Sequence, residues 1–275
     1  MAKQDFNVLV SIEQVGLTTK GFGRVLVIDT KNEIPLTYLR DRDDIKKIEI
    51  EEDTGVLAFL EDIYKQTLIP ERVLVAGAVG SALDVFKKVE EQDSDYFYVA
   101  AVDNDAEDVK LLIPAVVAKK KMLGTTVASV EAGKELIETA GDKAKELLVV
   151  GVHEDEKARL GQMVVMKAAG AVPGKATLKF QNIAGLGPSK FAGDREDLHE
   201  AGMITYKKEQ KRLMTSEGLT ASGEYIDVII GKYFIITRIE EDASELAYTT
   251  ANRGSKISYD DDGIAQLVGV VSGVG

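Results

Sequence analysis

The sequence contains no cysteine and only two histidines among its 275 residues. Without cysteine the chain forms no disulfide, no thiolate metal site and no cysteine nucleophile. It also lacks a run of apolar residues near the roughly 18–20 that a membrane-spanning helix needs. Residues 1–6 do not follow the basic-then-apolar pattern of a signal peptide. We therefore expect a protein that is made in the cytoplasm and is not inserted directly into a membrane.

Basic residues are fewer than acidic residues in this sequence. The chain has 34 basic and 46 acidic side chains, which gives 34 − 46 = −12 at pH 7. Because nucleic-acid affinity comes largely from clustered lysine and arginine, this balance argues against DNA or RNA as a partner. Hydrophobic residues at 45% and charged residues at 29% lie near globular averages. The chain can therefore bury a core, as one large or two ordinary domains.

The residue pattern divides the chain into three predicted regions, which are an N-terminal arm at 1–22, an α/β region at 23–171 and a C-terminal α+β region at 172–275. In the second region, short apolar runs alternate with helical patterns, which predicts right-handed crossovers and a mostly parallel sheet covered by helices. The predicted strands of this region are 24–29, 73–76, 96–102, 125–128 and 147–150.

The arm carries a strand pattern of its own. Val8, Val10 and Ile12 alternate with polar Asn7 and Ser11, and a glycine-bearing stretch separates them from the body. Two interpretations stay open. The strand either pairs with the sheet of a neighbouring subunit or forms an edge strand of this protein's own sheet.

The C-terminal region predicts strands at 176–180, 203–206 and 212–215. The alternation of Ile226, Val228 and Ile230 predicts a further strand, followed by a helix from Phe234. Lys207, Lys208, Lys211 and Arg212 form the densest basic cluster. In an acidic protein this cluster predicts a contact with an acidic partner.

Two segments could carry chemistry. At Gly77–Ser81 a predicted strand runs into glycines at a helix start, where backbone N–H groups could hold a phosphate. The segment lacks the third glycine of a dinucleotide fingerprint and the Gly-Lys-Ser/Thr of a P-loop, so a tight turn with Ser81 as helix cap is the alternative. Asp103–Asp105 follows a strand and could hold a divalent cation or cap the next helix, and helix capping is the favoured role. A nucleotide- or metal-dependent α/β enzyme using these segments is one hypothesis for the function.

Other catalytic patterns are missing from the sequence. His153 and His199 are isolated from each other and lie in no metal-binding motif. No Gly-x-Ser-x-Gly turn presents a serine nucleophile. We therefore predict no catalytic residue, no cofactor and no metal.

A second hypothesis comes from the order of four segments, Thr177–Pro188, Met203–Tyr206, Ser216–Gly218 and Ala221–Val228. Their order and spacing resemble the C-terminal part of contractile tail sheath proteins of myophages and phage-tail-like R-type bacteriocins. The resemblance spans residues 175 to 240 and continues more weakly at 38–75. Many members of that family carry Arg and an Asp-Trp pair after Ile-Asp-Val, where this chain has Ile229–Phe234.

The resemblance implies a structural protein and not an enzyme. Subunits of such a sheath polymerise helically around a tail tube and contract to drive the tube through a cell envelope. Terminal arms join adjacent subunits, which gives Val8, Val10 and Ile12 a role at the interface. The expected partners are further copies of the chain, the tail tube protein, and the baseplate and tail terminator proteins. The expected location is the cytoplasm during assembly and then a virion tail or an extracellular phage-tail-like particle.

Overall fold

A single eight-stranded sheet runs through the protein in the computed structural model, which describes residues 21–50, 55–155, 157–258 and 260–273. The strands are β1 Arg24–Asp29, β2 Ile34–Leu39, β3 Arg72–Gly77, β4 Tyr98–Ala101, β5 Met122–Val127, β6 Leu148–Val152, β7 Met203–Glu209 and β8 Arg212–Thr215. The helices are α1 Val56–Tyr64, α2 Ala82–Gln92, α3 Ala106–Ala118, α4 Val130–Ala140, α5 Asp142–Lys145, α6 Leu160–Ala169, α7 Arg195–Glu200, α8 Ile226–Asn252 and α9 Asp261–Ser272. Short 3₁₀ helices cover Arg42–Lys47 and Lys190–Gly193.

The strand order is β2-β3-β1-β4-β5-β6-β7-β8. The six central strands are parallel, while β2 and β8 pair antiparallel at the two ends. The predicted mostly parallel α/β sheet is therefore confirmed. The chain moves from β1 to β3 on one side and then crosses to β4 on the other. This reversal places a topological switch point between β1 and β4, where ligands of α/β proteins usually bind.

Helices cover both faces of the sheet. In β1, Val25 and Val27 belong to the apolar cluster that contains α1, α6 and the start of α8. Leu26 and Ile28 belong to the opposite cluster, which contains α2, α3 and α4. Because both faces are buried, the inner strands are continuous apolar runs, which is why their positions could be predicted.

The C-terminal region differs from its predicted elements. Residues 176–180 form no strand, and Phe180 has a φ of +62°. The predicted strand at 226–230 is wrong, because this stretch is already the first part of α8. Ile226, Ile229 and Ile230 are buried at helical i, i+3, i+4 spacing, and this buried helical face decides the conformation over the alternation with Val228.

Strands β7 and β8 come from the predicted region 172–275 yet continue the same sheet as β6. The three region boundaries stay a prediction.

α3 is one continuous helix with Pro114 inside it, so the helix is not split there. Among the described residues no helix combines the length and apolarity needed to cross a membrane.

Candidate functional site

The first candidate site is a cleft of about 560 Å³ at the switch point, beside the carboxyl ends of β1, β4, β5 and β6. Asp103 lies in it, just after β4, and its Oδ1 is 2.8 Å from Lys31 Nζ. The hydroxyl of Thr30 also donates to Asp103, at 3.4 Å. Both partners follow β1, so the switch point is bridged by an ion pair between two of its loops.

The other acidic and amide residues of this cleft have structural partners. Asp105 caps α3 and accepts from Asp108 N at 2.9 Å, which confirms the predicted capping role. Asn104 accepts a hydrogen bond from the side-chain amide of Gln162 and from Thr126 N. The Thr126 hydroxyl donates to Gln162 Oε1 at 2.6 Å. This buried network joins β4, β5 and α6 and fixes the floor of the cleft.

The turn at Gly77–Ser81 uses its backbone N–H groups within the protein. Ser81 caps α2 and accepts from Leu83 N at 3.2 Å, as the sequence predicts. The N–H of Ala82 donates to both carboxylate oxygens of Asp108, each at 3.0 Å. Asp108 therefore stands where a bound phosphate would stand at a helix N-terminus. Gly77 itself leaves no space, since a Cβ there would lie 2.5 Å from the carbonyl oxygen of Asn32.

His153 and His199 make separate contacts in different parts of the fold. His153 is buried, accepts from Asp155 N at 3.1 Å and lies 3.1 Å from the carbonyl oxygen of Gly187 through Nε2. His199 Nε2 lies 3.0 Å from Ser216 Oγ, a pairing that sequence reasoning missed because 17 residues separate them. Burial lowers the pKa of His199, which keeps the ring neutral near pH 7. Ser216 is itself buried and accepts from Thr205 N, so this pair ties α7 to the sheet.

Metal-binding clusters of three or more histidine, aspartate or glutamate side chains do not occur among the described residues.

The second candidate site is a surface on the β7–β8 hairpin. Its two-residue turn has Gln210 and Lys211 at φ values of +46° and +71°, the conformation of a tight hairpin. Lys208, Lys211 and Arg212 are exposed, as a contact surface requires. Lys207 is buried and pairs with Glu209 at 2.5 Å, and its ammonium group lies 5.8 Å from the centre of the Phe180 ring. The interface role of the four basic residues stays a prediction.

An open groove of about 990 Å³ lies beside this turn. We call it the hairpin groove, and it is lined by Phe180, Asn182 and residues 209–214. Phe180 is 58% exposed although it is a large aromatic residue. The segment before the groove is held to β8, since Phe180 N donates to Thr215 O and Thr215 N donates to Gln181 O. Sequence reasoning missed Phe180, because it treated residues 176–180 as a strand.

The third candidate surface is the pair formed by α8 and α9. Along the 27 residues of α8 only Ile226, Ile229 and Ile230 are buried, and in α9 only Gly263 is buried. Fourteen large hydrophobic side chains are exposed among the described residues, and eight of them lie between Tyr225 and Val271. Exposed apolar side chains in such concentration are typical of interaction surfaces.

No protein-family model and no curated protein matches the chain. The predicted arm residues Val8, Val10 and Ile12 lie outside the described residues, so their pairing stays a prediction.

Proposed function

We propose that the protein is a structural subunit of a contractile tail sheath, which polymerises helically around a tail tube and contracts to drive it through a cell envelope. The observation that carries the proposal is the exposed apolar surface of α8 and α9, in a chain whose described α/β body buries an apolar cluster on each face of its sheet. Such a surface suits a protein that is buried by assembly. The resemblance of residues 175–240 to sheath proteins supports the same conclusion.

The proposed partners follow from this role. They are further copies of the chain, the tail tube protein, and the baseplate and tail terminator proteins. Subunits would assemble in the cytoplasm and act in a virion tail or an extracellular phage-tail-like particle. In this role the protein needs no cofactor and performs no catalysis.

The last residue of the predicted arm, Phe22, packs into an aromatic cluster of the body. The ring of Phe22 stacks on Phe97 with centroids 4.4 Å apart and meets Phe234 of α8 edge-on at 5.5 Å. Residues 1–20 precede this anchor. If Val8, Val10 and Ile12 pair with the sheet of another subunit, the contact joins two different surfaces and generates an open helix of subunits.

Deletion of residues 1–20 tests the proposal. Because two apolar clusters of the described residues pack on the sheet from both sides, we expect the shortened chain to fold and to keep the circular dichroism spectrum of an α/β protein. We expect it to lose the tubes or striated sleeves that the full chain forms at high concentration in negative-stain microscopy.

A matched pair of variants sharpens this test. The triple substitution Val8→Asp, Val10→Asp and Ile12→Asp alters one side of the arm pattern, and we expect it to act like the deletion. Asn7→Asp with Ser11→Asp alters the polar side, and we expect polymers to remain. Polymers of normal length from the deleted chain would refute the role of the arm.

One second candidate is a nucleotide- or metal-dependent α/β enzyme using Asp103–Asp105 and the Gly77–Ser81 turn; of these two segments only Asp103–Asp105 lines the switch-point cleft. The position of this cleft at the carboxyl edge is the observation in favour. Isothermal titration with ATP and Mg²⁺ separates the two functions. Tight binding by a chain that stays monomeric at high concentration would favour the enzyme, and absence of binding together with polymers would favour the sheath.

A further inference from the structure

Helix α9 combines two features on one surface. Ile264, Leu267, Val268 and Val271 follow each other at i, i+3, i+4 and i+7, and each is between 42% and 56% exposed. This spacing places them on one side of the helix as a continuous apolar stripe. The first turn of the helix is acidic, with exposed Asp261 and Asp262, and residues 264–273 carry no charge.

The hairpin groove combines apolar residues with basic ones, whereas α9 combines apolar residues with acidic ones. Phe180 and Met214 give it an apolar wall, and Lys211 and Arg212 give it a basic rim, while the one acidic residue of its lining, Glu209, is paired with Lys207. Phe180 holds a left-handed backbone conformation at φ +62°, which a bulky residue adopts only at a cost in energy. Strained residues of this kind concentrate at functional positions, and here the strain leaves an aromatic ring at the surface.

The adjacent sheet edge favours a helix as the occupant of this groove. Residues 180–182 already cover part of β8, because Thr215 exchanges main-chain hydrogen bonds with Phe180 and Gln181. The Asn182 amide also donates to the Leu213 carbonyl oxygen at 3.1 Å. The covered stretch of β8 is not available to an added strand. An apolar groove with a charged rim instead suits an amphipathic helix.

We propose that α9 of one copy docks in the hairpin groove of a second copy. The apolar stripe of α9 covers Phe180 and Met214, while Asp261 and Asp262 lie against Lys211 and Arg212. The choice of a second copy rests on complementarity within one sequence, since the chain supplies both an acidic, apolar helix and a basic, apolar groove. The proposal also rests on the proposed function, which requires contacts between copies.

Such a contact is heterologous, because α9 of one copy meets the hairpin groove of another copy and these are two different surfaces. A contact of this kind leaves a vacant groove at one end of every dimer and a vacant α9 at the other. It therefore joins copies head to tail into a row to which further copies can be added.

Cross-linking between two single-cysteine variants tests the docking directly, because the natural chain has no cysteine. Gln210→Cys marks the hairpin turn and Gln266→Cys marks an exposed position of α9. We expect a short bis-maleimide to join the two variants when they are mixed. Gln210→Cys mixed with Lys87→Cys, on the exposed side of α2, serves as the control and should give at least tenfold less product.

Charge reversal supplies the second measurement. At low salt we expect Lys211→Glu with Arg212→Glu to reduce association at least tenfold in sedimentation velocity, and Asp261→Lys with Asp262→Lys to do the same. All four substitutions together should restore association, whereas a merely structural role of these residues predicts no rescue. Circular dichroism of each variant checks that it is folded.

The outcomes separate this inference from the proposed function. Sleeves that form without hairpin-to-α9 cross-links and without charge rescue would overturn the docking and leave the sheath intact. Cross-links and rescue in a protein that forms only short oligomers would support the docking and count against the sheath.

Discussion

Lys167 is the residue least expected from the sequence, since a lysine on α6 is only 1% exposed. Its ammonium group donates to Thr67 Oγ1 at 3.1 Å. Burial lowers its pKa, because the charged form loses hydration. In the unfolded chain the pKa of a lysine is about 10.4, so folding is opposed while the lysine is charged. The free energy of unfolding therefore rises as the pH increases from the lowered pKa of Lys167 in the folded protein to the pKa of lysine in the unfolded chain. It decreases again when the pH is lowered through the same range.

We expect Lys167→Met to raise the free energy of unfolding at pH 7 by about 1 kcal/mol or more, as replacements of buried charges by apolar side chains do. The gain should shrink above pH 10, where the wild-type lysine is neutral. Urea denaturation at pH 7 and pH 10 measures both. Lys87→Met, at an exposed position of α2, is the control and should change stability little. A destabilised Lys167→Met protein would mean that the lysine has a stabilising role at this site.

Among the elements, α6 packs unusually close to the sheet, at a distance that leaves no space for a Cβ atom at the contact positions. A Cβ at Gly161 would lie 1.9 Å from the carbonyl oxygen of Thr125, and one at Gly124 would lie 2.5 Å from the carbonyl oxygen of Gly161. These glycines let the helix backbone rest directly on β5. The contact also brings Gln162 to Thr126, which builds the floor of the switch-point cleft.

Gly161→Ala should therefore prevent folding or destabilise the protein by at least about 3 kcal/mol, because the added methyl group forces α6 away from β5. Gly269→Ala is the matched control, since a Cβ there meets no atom within 4 Å on exposed α9. It should stabilise the helix by up to about 1 kcal/mol. Thermal unfolding followed by circular dichroism measures both variants. Equal effects of the two substitutions would contradict the close packing.

Some of the helices and strands could be predicted from the sequence, and others could not. Strands such as 73–76 were predictable because burial on both faces makes them uniformly apolar, and Ser81 and Asp105 were predictable as caps because they precede helical patterns. The helical conformation of residues 226–230 could not be predicted, because the isoleucines at these positions fit both a strand and a helix. The groove beside Phe180 depends on contacts across about 35 residues, such as Phe180 N to Thr215 O, which no local pattern contains.

For the whole molecule, the net charge of −12 opposes association of identical copies. Salt screens this repulsion, with a Debye length of about 10 Å at 0.1 M. We expect polymers to form at lower protein concentration in 0.5 M than in 0.05 M sodium chloride, as measured by light scattering. The apolar stripe of α9 would keep its contribution at high salt. Weaker assembly at high salt would show that specific ion pairs, such as those proposed at Lys211 and Arg212, outweigh the general repulsion.

The length of α8 has a mechanical consequence. Its contacts with the body continue past the buried Ile230 to Glu240, whose Oε1 lies 3.0 Å from Lys120 Nζ. From Glu240 to Asn252 the helix runs for 12 more residues, a distance of about 18 Å at 1.5 Å per residue. A tilt of about 10° at Glu240 displaces the far end by about 3 Å on this helix geometry. In the proposed sheath, this outer part of the helix would act as a lever that carries a small angular change at the body to α9. In a polymer joined through α9, each subunit would add its own stroke to that of its neighbours.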